Sequence, residues 1–191
     1  MSIVLLGSTS GSCTLQEQAV AGSTTLTLPT FNGTVGLLVS GTAVASTSGT
    51  SIDFTGIPAG VRRITVMFTG VSTNGTSNYL VQLGDSGGIE NTGYVCISGR
   101  SSTAGGVGAA SYTTGIGLFI NAAADTHSGN LTFTNLSGNI WPVNGAATYG
   151  TTGIIYSAGT KTLSDTLTQL RITTVNGTDT FDAGTINILY E

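Results

Sequence analysis

Apolar and polar residues alternate along this chain with a period of two, the mark of half-buried β-strands. From Arg63 to Thr69, Ile64, Val66 and Phe68 point one way, and Arg63, Thr65, Met67 and Thr69 the other. Thr168-Gln169-Leu170-Arg171-Ile172-Thr173 alternates as cleanly. Further short β-prone runs are Ile52–Phe54, Tyr79–Leu83, Tyr94–Ile97, Ile116–Ile120, Leu131–Leu136, Ile154–Tyr156, Leu170–Val175 and Ile186–Tyr190. Glycine-rich turns punctuate them. Strands at such spacing predict an antiparallel β-sandwich of jelly-roll-like type over residues 41–191. Only Thr162–Leu170 has a faint helical look, and its β-branched residues weaken it.

The first forty residues form a different pattern. Ile3–Leu6, Cys13–Leu15, Thr24–Leu28 and Val35–Val39 are short runs between turns, and Pro29 ends the third because it cannot donate to a ladder. Alone they bury too little surface to fold stably. Residues 1–40 are therefore expected to be a β-rich arm that completes its core against other copies or another protein. Ser40–Thr50, small and polar, reads as a linker or edge segment. Ser98–Thr114 is rich enough in glycine to read as a mobile loop at one end of the sandwich, and Asn139–Thr152 as another outer loop.

Composition changes the picture in one respect. Only 7% of the 191 residues are charged, while 39% are hydrophobic. Ordinary soluble domains carry about 25% charged residues. Disordered chains combine low hydrophobicity with high charge, the opposite of this one. A Thr/Ser/Asn/Gly surface with few charges to desolvate packs easily against a neighbour. The net charge is −4 and the five cations form no basic patch, so nucleic-acid binding has little support. Met1–Gly7 is apolar but too short for a signal h-region, and no run is long enough to span a membrane. Synthesis in a cytoplasm without secretion is expected. On that expectation the five Asn-x-Ser/Thr matches, at Asn32, Asn74, Asn130, Asn135 and Asn176, are not glycosylation sites. Three of them are Asn-Gly-Thr and read as tight turns. Cys13 and Cys96 are expected to be buried free thiols, a disulfide between them being an open alternative.

The candidate chemistry begins with Gly84-Asp85-Ser86-Gly87-Gly88. GDSGG resembles the nucleophile signature of chymotrypsin-like serine proteases. A serine needs a base within hydrogen-bond reach, and in those enzymes the histidine precedes the serine. The one histidine here, His127, follows it. GDSGG also fits G-x-S-x-G, whose order is serine, acid, histidine, and Asp125 and His127 stand downstream. It likewise resembles lipases with an N-terminal Gly-Asp-Ser block and a late Asp-x-x-His, but Asp125 and His127 are one residue apart, not two. Both of those families need helices on a parallel sheet, which this pattern lacks. The motif is therefore expected to be a strand ending in a glycine-rich turn, with no catalytic residue and no loss of ester hydrolysis on Ser86→Ala. Asp179 and Asp182 could offer oxygens to calcium, but such residues are more often solvated turn carboxylates. No metal and no cofactor is assigned.

The run LLGSTSGSCTLQEQAVAGSTTLTLP resembles a segment that recurs in virion proteins of tailed bacteriophages. FTGIPAGVRRITVMFTGVSTNGTSNYLVQLGDSGG and FDAGTINILYE are similar to the body of phage tail-fibre and head-decoration domains. The resemblance implies a homotrimeric, jelly-roll-like virion surface protein anchored by its N-terminal segment, with no catalytic residues to transfer. It points first to a capsid decoration or cement protein bound to the major capsid protein or other virion proteins. The alternative is a tail-fibre tip that contacts host glycans through Tyr112, Trp141 and Tyr149, because aromatic faces stack on sugars. For Trp141, beside Pro142, a core or interface anchor is the competing role.

Overall fold

In a computed structural model of the chain, residues 2–6, 12–16, 36–123 and 125–191 are described. They fall in two compact units, Met1–Val35 and Gly36–Glu191. In the first, β1 (Ser2–Leu6) and β2 (Ser12–Gln16) form an antiparallel hairpin in which Leu5 stands opposite Cys13. The expected strand Thr24–Leu28 lies outside the described residues. Among the described residues of the expected strand Val35–Val39 only Val39 is in a strand, while residues 36–38 are not.

The second unit is all-β and antiparallel, with no helix among the described residues. Its strands in chain order are β3 (Val39–Ser40), β4 (Val44–Ala45), β5 (Ile52–Thr55), β6 (Arg63–Thr73), β7 (Tyr79–Asp85), β8 (Gly88–Ile89) and β9 (Tyr94–Ser102). They continue with β10 (Val107–Tyr112), β11 (Ile116–Leu118), β12 (His127–Thr134), β13 (Ile140–Tyr149), β14 (Gly153–Thr162), β15 (Gln169–Thr174) and β16 (Phe181–Tyr190). The large sheet runs β10-β9-β14-β13-β12-β6-β16-β3, with β4 also on β16. The small sheet runs β11-β7-β15-β5, with β8 on β7. The two sheets face each other across one core, which makes a β-sandwich.

The alternation read from β6 holds: Ile64, Val66 and Phe68 are buried against the small sheet, and Arg63 and Thr69 are exposed. Leu131, Phe133, Trp141, Val143 and Ile155 continue that inner layer across β12, β13 and β14. Leu83, Leu118, Leu170 and Ile172 face it from the small sheet. Polar groups join the layers as well. Ser157 Oγ donates to the Gly117 carbonyl at 2.6 Å, and the Phe119 amide donates to Ser98 Oγ at 3.0 Å. Gly117 has no room for a side chain, because a Cβ there would stand 2.3 Å from the Tyr112 ring.

Three expectations are corrected. Ser98–Thr114 is not a loop: most of it is the hairpin β9–β10, in register from Tyr112 opposite Cys96 to Val107 opposite Ser101. Asn139–Thr152 is the long strand β13, paired on both sides. Glycine, alanine and serine fill these strands because cross-strand side chains cover them. Tyr156 lies over Gly99, and a Cβ on Gly99 would stand 2.7 Å from its ring. Third, the compact unit begins at Gly36, ahead of the boundary expected at residue 40, because Val39 and Ser40 pair with Tyr190 and Leu189. Ser40–Thr50 is an edge segment, with β4 paired to Thr185 and Ile186.

Candidate functional site

Ser86 and Gly87 are the two-residue connection between β7 and β8, where Asp85 pairs with Gly88. The Gly87 amide donates to Asp85 Oδ1 at 2.8 Å, a local Asx turn, and Gly88 takes φ +121°. Asp85 Oδ2 accepts from Ser164 Oγ at 2.7 Å. The Ser164 hydroxyl, then the Gly87 amide, hold the Asp85 carboxyl below its ordinary pKa. His127 sits elsewhere. It is buried in β12, its ring edge-on to Tyr79 at 5.0 Å and its Nδ1 3.3 Å from the Val71 carbonyl. Ser86 is seven residues farther along the strand from Tyr79, on the order of 20 Å at about 3.3 Å per residue. Ser86 and His127 therefore do not form a nucleophile–base pair. Burial pushes the His127 pKa down. Asp125 Oδ2 accepts from the Ala122 amide at 2.9 Å, within its own loop.

The three aromatic residues expected on outer loops are inside. Tyr112, Trp141 and Tyr149 are 6%, 3% and 1% exposed, so none offers a free face for stacking. Each has an inward position on its strand, and each leaves its polar atom without a partner: Tyr112 Oη, Trp141 Nε1 and Tyr149 Oη. The corrected role is core packing, the competing role for Trp141. Asp179 bonds the Ser77 amide and Asn176 Nδ2, at 3.0 and 2.6 Å, and clamps the two Asn-Gly-Thr loops together. Asp182 accepts from Ser72 Oγ. Both carboxylates are engaged by protein donors. Asn176-Gly177 makes the expected tight turn, with Gly177 at φ +67°. Cys96 is a buried free thiol whose Sγ accepts from the Gly117 amide at 3.3 Å. The side chain of Cys13 lies outside the described residues.

Two surfaces remain. The first is the outer face of the large sheet. From β10 across β9, β14, β13 and β12, no outward position carries an acidic or basic side chain. The cations near it turn inward. Arg100 lies over the Phe119 ring at 5.4 Å. Lys161 is buried, paired with Glu90 and bonded to the Thr92 carbonyl at 2.9 Å. The outward residues along one edge of this face, on β10, β9 and β14, are apolar and open: Val95 69%, Ile97 62%, Val107 77%, Ile154 46% and Tyr156 52% exposed. Arg63, at the start of β6, is the first charge met, and it pairs with Glu191 at 2.5 Å.

The second surface is a recess of about 290 Å³ at one end of the sandwich, lined by Pro58, Val61, Arg62, Asn135, Trp141 and Leu167 among others. Arg62 Nη1 donates to Asn135 Oδ1 at 2.5 Å, and Asn135 Nδ2 donates to the Gly138 carbonyl at 2.8 Å.

Apart from Trp141, these residues were not marked as candidates by the sequence. Its signal was present in Tyr94-Val95-Cys96-Ile97 and Gly153-Ile154-Ile155-Tyr156, where apolar residues occupy both faces of a strand and not one. Comparison with protein-family models, curated proteins and solved structures finds no match.

Proposed function

We propose that this protein is a non-enzymatic structural component of a tailed-bacteriophage particle. It is a homotrimeric capsid decoration protein that holds the shell through its N-terminal arm and projects its sandwich outward. The observation that carries the reading is the outer face of the large sheet, about five strands wide without an acid or a base. A face that spends its life in water is normally covered with charge, and one built for contact needs none to be stripped of water. The mechanism is adhesive: binding free energy shared between copies and shell adds to the resistance of the shell to bursting. The separation of Ser86 from His127 accords with it. Deleting residues 1–35, ahead of the compact unit, leaves a folded sandwich that no longer decorates purified shells. Normal shell binding by that truncation overturns the anchoring role.

A second reading, a tail-fibre tip that contacts host glycans, rests on the recess beside Trp141. Arg62, Asn135 and Asn139 there present polar groups above an apolar floor, the usual make-up of a small-ligand site. Purified protein that labels host cells, and loses the label with Arg62→Ala, selects this reading over the first.

A further inference from the structure

We infer that the corner of the sandwich formed by β10, β9 and β14 is where a second copy of this chain docks. The inference rests on the assembly reading above and names the partner of its uncharged face.

Three observations converge on this corner. Val95, Ile97, Val107, Ile154 and Tyr156 project from the same side of adjacent strands, as the registers of Ile154 opposite Ser101 and Val107 opposite Ser101 require. Together they leave methyl groups and a ring facing water on three adjacent strands, with Ser101 between Val107 and Ile154. Tyr156 packs over Gly99, where a Cβ would stand 2.7 Å from its ring, so the largest of these side chains is held in place before any partner arrives. A preorganised aromatic loses little entropy on burial and is the kind of residue that dominates binding energy.

The edge is the second observation. β10 is the last strand of the large sheet, bonded only to β9. Proteins keep exposed edges from pairing by placing charges, prolines or bulges on them. Val107-Gly108-Ala109-Ala110-Ser111-Tyr112 carries none of these, and its register to β9 is continuous. Its outer-edge amides and carbonyls have no backbone partner among the described residues.

Charge and area then choose the occupant. The chain carries a net charge of −4, so two copies meeting through charged surfaces would bring like charges together. On this face two copies can meet without bringing charges together. It offers no cation to a nucleic acid and no fixed charge to steer a charged partner. The five uncharged strands, β10 to β12, at about 4.8 Å spacing and about eight residues of about 3.3 Å, span about 630 Å². Two such faces together bury about 1,300 Å², at the lower end of a standard specific interface.

The full-length chain is measured by light scattering with size exclusion, over a dilution series. Wild type is expected to run as a multiple of 19.1 kDa. Ile97→Glu and Tyr156→Glu are expected to weaken self-association about 100-fold or more, as loss of a central contact does. Val175→Glu, which alters an exposed apolar residue in a distant turn, is expected to leave the mass unchanged. A fold-independent arm uses wild type alone. Amide exchange in β9, β10 and β14 speeds up on dilution, while that in β15 stays constant. A monomer at tens of micromolar overturns the inference. So does an oligomer whose mass both Glu variants leave intact, or one whose exchange protection lies outside these strands. Co-purification with phage particles is scored separately, so a chain that oligomerises without binding shells retires the decoration reading and leaves this one standing.

Discussion

The two outer faces of the sandwich obey the same alternation but are finished differently. On the small sheet, β15 points Gln169, Arg171 and Thr173 outward, and Arg171 grips Asp53 with two bonds of 2.7 Å. The segment Thr114–Gly115 closes over β7, where Gln82 Nε2 donates to the Thr114 carbonyl at 2.8 Å. That face is dressed for water. On the large sheet the equivalent positions hold Ile97, Tyr156, Ala158, Ala146 and Asn144, and no charge. Both finishes are compatible with one core, because the core is set by the inward positions alone. The chain sets Arg171 and Asp53 on one side and leaves β10 to β12 of the other without charge, and that uncharged stretch is where contact is expected.

The largest effect separates inward from outward positions of one strand. Phe133→Ala empties a fully buried site on β12 and is expected to destabilise by about 3–5 kcal/mol. Its outward neighbour Thr132→Ala is expected to stay within about 0.5 kcal/mol. Chemical denaturation of both checks the contrast.

The ion pairs sharpen it next. Glu90→Gln leaves Lys161 buried without a carboxylate, and about 2–4 kcal/mol of stability is expected to go. That is somewhat under the ~3–5 kcal/mol of a fully buried pair, because Glu90 is partly open to water.

His127 brings pH into the inner layer. Its pKa is depressed by burial, so the folded chain binds fewer protons than the unfolded one below about pH 6.5. Stability is full above that value and falls as pH drops toward the folded pKa, with a slope of at most about 1.4 kcal/mol per pH unit. Melting curves from pH 7.5 to 5 are expected to show this fall, and His127→Phe to flatten it. A further loss begins below about pH 4, as Asp85, held ionised by Ser164 and Gly87, takes up a proton.

The smallest effect is on the water-facing sheet. Arg171→Ala is expected to cost less than about 1 kcal/mol, since both partners are over a third exposed. A loss as large as that of Glu90→Gln would erase the distinction between the two settings.

Much of the architecture was legible beforehand. β-prone runs located β5, β6, β7, β9, β11, β12, β14, β15 and β16, although β9, β14 and β16 extend five or six residues beyond the runs that marked them. β10 and β13 were not legible, for one reason. Ala146, Ala147, Ala109 and Ala110 have little strand propensity of their own and are held extended by ladders on their neighbours. Taking β13 for a loop put Trp141 and Tyr149 on the surface; pairing on both sides buries them. The candidate face was legible only as an anomaly. Val95 and Ile97 flank the inward Cys96, and a strand apolar on both sides has something to meet on each.

Cys96 gives the molecule a built-in reporter. Burial raises its pKa, so at neutral pH the sulfur is a protonated thiol sealed in the core beside Gly117. In a Cys13→Ser background, a maleimide can alkylate it only when the layers part. The alkylation half-life therefore clocks the breathing of the sandwich, and a slower clock at higher protein concentration would record how firmly neighbours latch that corner shut.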